Sequence, residues 1–284
     1  MIILKTAQKI AIARVLSSMV LGLRRLLGKS AGATVRRGGL CWKLDLTEGI
    51  DFSIYFLGGF EPRTLRLYSR WVKPGDTVLD IGANIGAHTL PLAQLAGPGG
   101  RVIAFEPTTY AVQKLRANIG LNPTISNRIV VCQVMLVASS DAMLASELYS
   151  SWPLVTGRSE LHPQHGGRLM ETTGAAVKTL DQAVKELAIE KVSFIKVDVD
   201  GNENSVLAGG NETVQAHRPA ILMELSPYLS QTGCNDFEQM LRRLGMLNYR
   251  LTDADTGKDL PLDAALLGRL IPTGGTRNGL FFPK

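Results

Sequence analysis

Short apolar runs of strand length recur through the middle of the chain, separated by polar turns. The pattern predicts strands over Thr77 to Ile81, Arg101 to Phe105, Ile129 to Val134, Ser193 to Val197, Ala220 to Leu225, Tyr249 to Leu251 and Leu280 to Phe282. Between them, apolar residues at helical spacing predict helices over Ile85 to Leu95, Thr109 to Asn118, Thr179 to Leu187, Asn204 to Gly209 and Phe237 to Leu244. Pro91 is expected to kink or shorten the first of these. Apolar strands alternating with helices predict an α/β fold with a seven-strand, mostly parallel sheet and helices on both faces.

The flanks depart from this rhythm. Residues 34–75 read as an extension at the start of a domain that spans 34–284. It has short strands up to Leu46 that turn at Gly38-Gly39, then helix from Ile50 to Lys73 broken near Gly58-Gly59. Residues 138–178 are too long for an ordinary connection and form a variable insertion, expected to hold a lid or a hairpin. Residues 1–33 form a separate helical segment, apolar at Ile10 to Ala13, Val15, Leu16, Met19 to Leu23, Leu26 and Leu27, with no proline before Pro62.

Charge changes the picture only at that first segment. The 284-residue chain carries a net charge of +6, and Lys5, Lys9, Arg14, Arg24, Arg25 and Lys29 account for it. The rest balances, and this neutral body makes nucleic acid an unlikely partner. Arg14 interrupts the apolar run well short of a membrane span, and Arg24-Arg25 is unlike a signal peptide. Residues 1–30 suit a helix lying on an anionic membrane surface; docking on the domain itself or on a partner subunit is the alternative. Cys41, Cys132 and Cys234 lack metal-ligand spacing and point to a reducing compartment. The expected location is cytoplasmic, peripheral at the inner face of a membrane if the first helix binds lipid.

The candidate chemistry gathers at the first core strand, which runs into Asp80-Ile-Gly-Ala-Asn-Ile-Gly86. A dinucleotide fingerprint aligned on Gly82 wants a second glycine where this chain has Asn84, although Ala87 fits. The Asp80 carboxylate suits a ligand ammonium better than a pyrophosphate, and Glu106, ending the next strand, can accept from both hydroxyls of a ribose. Together they ask for a nucleoside with a cationic amino-acid tail. S-adenosylmethionine fits, and NAD fits less well.

Further motifs accompany these: Phe105-Glu106-Pro107, Asn118-Ile-Gly-Leu-Asn122, Thr179-Leu-Asp181, Phe194-Ile-Lys-Val-Asp-Val-Asp-Gly201 with Glu203, and Arg218-Pro219 followed by Glu224. From Leu46 to Leu225 the sequence resembles the FkbM-type family of class I methyltransferases. The resemblance implies the Rossmann-like class I methyltransferase fold and a methyl donor bound across the first two strand ends. It also implies transfer to oxygen, commonly a hydroxyl of a sugar, glycolipid or secondary metabolite. One departure stands out. The family usually writes Asp-Val-Glu-Gly where this chain has Asp198-Val-Asp200-Gly201, so the second carboxylate is a methylene shorter.

Donor binding is expected from Asp80, Gly82, Asn84, Gly86 and Glu106, with a turn cap as the plainer use of Asp80. Asp198 or Asp200 is the candidate base for the acceptor hydroxyl, and His88 is either a third candidate or a packing residue. Lys196, Glu203 and Glu224 are expected around the acceptor, with a Lys196–Asp lock on the strand end as the alternative. Tyr149 and Trp152 are candidates to stack on the acceptor or to anchor the insertion. His162 and His165 lack a third ligand, so no metal is expected. Two other functions compete: a membrane-surface or donor-binding protein without turnover, and a nucleic-acid methyltransferase, which the missing Asn-Pro-Pro-aromatic turn after Val197 counts against.

Overall fold

The computed structural model describes residues 6–143, 145–150, 152–154, 167–228 and 234–284. His162 and His165 lie outside them. A mixed sheet of eight strands forms the centre. From edge to edge it runs Asp259–Leu260, Tyr249–Asp253, Arg277–Pro283, Ala220–Leu225, Phe194–Val197, Thr77–Ile81, Arg101–Phe105 and Ile129–Cys132. The last five are mutually parallel, and the first three join through antiparallel pairs. All seven expected strands are present, and the two-residue Asp259–Leu260 is added at one edge. The chain first builds outward from Thr77–Ile81 on one side and later returns to place Phe194–Val197 on the other. The crevice at this reversal lies beyond the strand ends, where open α/β sheets bind ligands.

Both faces of the sheet are buried, as its unbroken apolar strands require. Leu79, Ile81, Ile103, Phe105, Ile195 and Val197 pack on one side. Val78, Val102, Phe194, Ala220 and Leu222 pack on the other, together with Trp42, Phe52, Ile54 and Tyr68 from the extension. That extension forms the hairpin Gly32–Arg37 and Leu40–Asp45, then helices Gly49–Leu57 and Pro62–Trp71, with the break at Gly58-Gly59 where it is expected. Two asparagines one turn apart hold the hairpin. Asn118 Oδ1 accepts from the Lys43 amide at 2.8 Å, and Asn122 Oδ1 accepts from the Cys41 amide at 2.9 Å. Asn122 Nδ2 also donates to the Cys41 carbonyl at 2.7 Å. These bonds satisfy polar groups on the hairpin's outer edge that would otherwise be buried unpaired.

The helix after the first core strand spans Thr89–Ala96 and begins later than its pattern suggests, because Asn84 to His88 form turns. Pro91 therefore falls in the first helical turn, where proline is tolerated. The insertion contains an antiparallel pair, Glu147–Ser150 with Arg168–Glu171, and the strand expected over Ile129 to Val134 breaks at Gln133. Helix Thr6–Leu26 lies on the extension, where Ser17 donates its hydroxyl proton to the Leu46 carbonyl at 2.8 Å. Among the described residues no helix is long and apolar enough to cross a membrane.

Candidate active site

The turn after Thr77–Ile81 is shaped by close contact. Gly82 has φ 79°, and a Cβ there would come within 1.9 Å of the Asp198 carbonyl oxygen, so only glycine lets the two loops touch. Asn84 holds a left-handed conformation, φ 48°, and its own Oδ1 accepts from the Ile85 amide at 2.8 Å. A side chain that bonds its local backbone makes asparagine tolerable where a glycine is otherwise expected.

Glu106 is buried at the next strand end. Its Oε2 accepts from the Asn84 amide at 2.9 Å, while Oε1 accepts from the Thr108 amide at 2.9 Å and the Thr108 hydroxyl at 2.5 Å. Burial pushes its carboxyl up, and these bonds oppose the shift. With roughly four acceptor positions on a carboxylate, one on Oε2 remains for a ligand.

Asp80 and Lys196 are register partners on adjacent parallel strands, so their side chains project to the same face. Lys196 Nζ lies 3.4 Å from Asp80 Oδ1 and 3.3 Å from Asp198 Oδ2, and it donates to the Gly82 carbonyl at 3.0 Å. Asp80 Oδ2 accepts from the Thr89 hydroxyl at 2.6 Å. One ammonium thus ties two strand ends and the intervening turn, and although burial disfavours its charge, Asp198 and Asp80 hold its pKa above the usual value.

Above these strand ends opens a cleft of about 1180 Å³. Gly82, Asn84, Glu106, His88, Lys196, Asp198, Asp200, Glu224, Tyr149 and Trp152 all line it. Asp80, Gly86 and Glu203 do not. Asp80 sits beneath the cleft, completely buried, and Gly86 packs against Leu90 and Leu115. Glu203 accepts from the Val199 and Gly201 amides at 3.3 Å each and so pins the loop that carries Asp198 and Asp200. Its carboxyl is pushed up to about 7, chiefly by burial.

Asp200 is held at φ 49° ahead of Gly201, and its carboxyl is pushed up to about 8 by burial, then by Asp198 and Glu203. Glu224 is raised well above the usual carboxylate range by burial and by Asp198. His88 is driven well below the usual histidine range by burial and by Lys196, so the ring is neutral. The Tyr68 hydroxyl lies 2.8 Å from His88 Nδ1. Donation from that hydroxyl to Nδ1 would place the ring proton on Nε2, which has no hydrogen-bond partner among the described residues.

The hairpin of the insertion roofs one side. Ser150 Oγ lies 3.3 Å from Asn84 Nδ2, and the Gly49 amide donates to the Trp152 carbonyl at 3.0 Å. The Trp152 ring occupies the space that a Cβ on Gly49 would need. Trp152 therefore anchors the insertion and lines the cleft at once. Phe60 and Glu61 are among the lining residues not singled out in the sequence. Phe60 packs beside His88 and Trp152, and Glu61 accepts from Asn278 Nδ2 at 2.8 Å and from the Thr64 hydroxyl at 3.1 Å. The only local signal is Glu61 preceding Pro62 after a glycine pair. Among the described residues no group of His, Cys, Asp and Glu is arranged to hold a metal ion.

Comparison with known proteins bears on the same residues. The chain is 31% identical over 165 residues to the 31-O-demethyl-FK506 methyltransferase FkbM of Streptomyces tacrolimicus, covering 49% of this chain and 60% of that one. It is 28% identical over 153 residues to the 2-O-methyltransferase NoeI of Sinorhizobium fredii, covering 51% and 62%. The matched stretch thus spans about three-fifths of the length of each relative. A crystal structure of methyltransferase FkbM from Methylobacillus flagellatus superposes with a TM-score of 0.44 at 17% identity, covering 77% of this chain and 50% of that one. The model of the methyltransferase FkbM domain matches residues 80–251. That match begins on the carboxylate beneath the cleft and takes in both strand-end loops, and the chain belongs to the FkbM-type family of S-adenosylmethionine-dependent methyltransferases.

Proposed function

We propose that the chain transfers the methyl group of S-adenosylmethionine to a hydroxyl of a sugar, glycolipid or secondary metabolite. The observation that carries this reading is the crowding of carboxyl groups in the cleft. Among the described residues lining it, Lys196 is the one cationic side chain facing Glu61, Glu106, Glu147, Asp198, Asp200 and Glu224. A cation placed among these carboxyls favours their ionised forms, so the cleft suits a ligand with a net positive charge better than a pyrophosphate. When bound, S-adenosylmethionine supplies an electrophilic methyl group on a positively charged sulfur. The Gly82-to-Asn84 turn, Glu106 with its spare acceptor position, and Asp198 are the residues suited to hold it. The cleft also exceeds the roughly 300–1,000 Å³ of a single drug-sized site, which leaves room for an acceptor beside the donor.

Asp200 is the group suited to take the proton of the acceptor hydroxyl. A base works best when its pKa lies near the working pH, and burial has moved this carboxyl there. Lys196 and Glu203 fix the loop on which it sits. His88 contributes an N–H donor, suited to hold the acceptor oxygen in place. The two relatives are a 31-O-demethyl-FK506 methyltransferase and a 2-O-methyltransferase, which supports oxygen as the target.

Calorimetric titration with S-adenosylmethionine tests the reading. Saturable binding is expected, weakened about tenfold to a hundredfold in Glu106→Ala, the range for a lost hydrogen bond to a charged group. NAD should not bind. A folded protein that binds neither compound would sink the proposal.

A further inference from the structure

Helix Thr6–Leu26 is apolar on two opposite faces. Ile10, Ala13, Leu16, Val20 and Leu21 turn inward and join or pack against the core. On the other side Ile12, Val15, Met19, Leu23 and Leu26 form an outward stripe, from 51% exposed at Ile12 to 86% at Leu26. Their spacing of three, four, four and three residues keeps them on one line over about 21 Å. A continuous exposed apolar stripe on a surface helix marks something that covers it.

The surrounding charge identifies what that is. No acidic residue precedes Asp45, while Arg25 and Lys29 stand exposed at the end of the stripe and Arg36, Arg37 and Lys43 follow on the hairpin. An apolar stripe within a wholly cationic region complements an anionic lipid surface, where the stripe enters the acyl boundary and the bases meet head groups.

The stripe is continuous with the cleft. Ile12 belongs to both, and Leu16, Phe52, Phe56, Leu57 and Phe60 extend an apolar arm from it to the acidic end at Asp198. Phe56 and Leu57 are at least half exposed, so this arm opens beside the stripe. The cleft is therefore itself amphiphilic, with an apolar mouth next to the helix and a carboxylate-rich end at the strand tips.

We propose that the acceptor is a membrane amphiphile. Its hydroxyl-bearing head reaches Asp198 and Asp200 while its hydrocarbon chain lies in the apolar arm, and helix Thr6–Leu26 rests on an anionic bilayer from which it enters. This inference rests on the methyl-transfer reading and names the acceptor class for the same site. In the reaction the acceptor oxygen bonds to the methyl carbon as the carbon–sulfur bond breaks. The bond's electron pair stays on sulfur, and the hydroxyl proton passes to Asp200.

The test uses the full chain. Wild type and a Met19→Glu/Leu23→Glu variant are sedimented with phosphatidylcholine vesicles, with and without phosphatidylglycerol. Calorimetry with dodecyl maltoside below its micellar concentration, beside maltose, probes the arm in wild type and Phe56→Asp. Donor titration of every variant reports whether the cleft is folded. Wild type should sediment at least about tenfold better with anionic vesicles than with neutral ones, and the double variant should lose about tenfold or more while still binding donor. Dodecyl maltoside should bind where maltose does not, and Phe56→Asp should weaken it. Equal sedimentation of wild type and double variant overturns the docking. So does a wild-type dimer that the double variant dissolves without any vesicle binding, because the stripe is then a subunit interface. Equal binding of the two sugars overturns the chain site, and vesicle binding without donor binding overturns the acceptor assignment together with the transfer reading.

Discussion

Asp200 and Lys196 show how far single side chains set the behaviour of this site. As the proposed base, Asp200 must lose its proton to accept one, so kcat/KM should rise with pH through about 8 in the wild type. Asp200→Asn should abolish that limb and most of the turnover. A cationic donor beside the carboxylate favours its ionised form, so the limb in kcat, which reports the donor complex, should lie at lower pH than the limb in kcat/KM. Asp200→Glu restores the residue usual in the family and adds a methylene, so it should change KM for the acceptor more than affinity for the donor. Lys196 acts through others. Lys196→Met leaves Asp80 buried without a cation and should cost about 3–5 kcal/mol in denaturant unfolding. A cost under about 1 kcal/mol would mean that Asp80 is satisfied by other means.

At the scale of elements, the Asn118–Asn122 pair joins the donor side of the domain to the extension. Besides holding the hairpin, Asn118 Nδ2 donates to the Ile85 carbonyl at 3.0 Å, inside the turn that follows Gly82 and Asn84. Asn122→Ala strips the Cys41 amide and carbonyl of their partners and should destabilise the protein by about 1–3 kcal/mol, measured by urea unfolding with an unchanged m value. The two asparagines were visible in the sequence as a motif without a role. Their work is to pair with an edge strand more than seventy residues away, and no local pattern encodes that. Asp181 is similar: its carboxylate accepts from the Glu212 and Thr213 amides, capping a helix thirty residues on. By contrast, the core strands were legible because parallel strands buried on both faces must be apolar throughout. The carboxylates at their ends were legible because a charge there interrupts an apolar run. Asp80 was legible as a charge but not in its depth, since it lies below the cleft beside Lys196 and Thr89. Glu61 was illegible because it reaches the cleft only through tertiary packing, whereas docking of the first helix on the domain was one of the two readings its sequence allowed.

For the molecule as a whole, the crowded carboxyls couple stability to pH. Asp200 at about 8 and Glu203 at about 7 retain protons in the folded chain that the unfolded chain gives up near pH 4. Folding is therefore the proton-binding state. Their contribution is complete below about pH 4 and is lost as pH climbs through 7 to 8. The melting temperature should fall between pH 6 and 8.5 and then level off, and Asp200→Asn should flatten the fall. A ligand with net positive charge favours the ionised carboxyls, so donor binding should release protons and tighten over the same interval. Titration in buffers of different ionisation enthalpy measures that release, and a pH-independent affinity would show that the carboxyls do not face the donor.

The contact at Gly82 constrains how this molecule can change. Because the donor turn and the Asp198 loop meet backbone to backbone with no intervening side chain, neither can be reshaped without displacing the other. A mutation that adjusts acceptor fit from that loop disturbs the methyl donor as well. Freedom to acquire a new acceptor therefore belongs to the outer walls, namely the insertion hairpin at Tyr149 and Trp152 and the helix that carries Ile12 and Leu16. The helix stands outside residues 80–251, the stretch matched to the family's domain, so under the proposed acceptor route its variation should change acceptor choice while the donor turn stays intact.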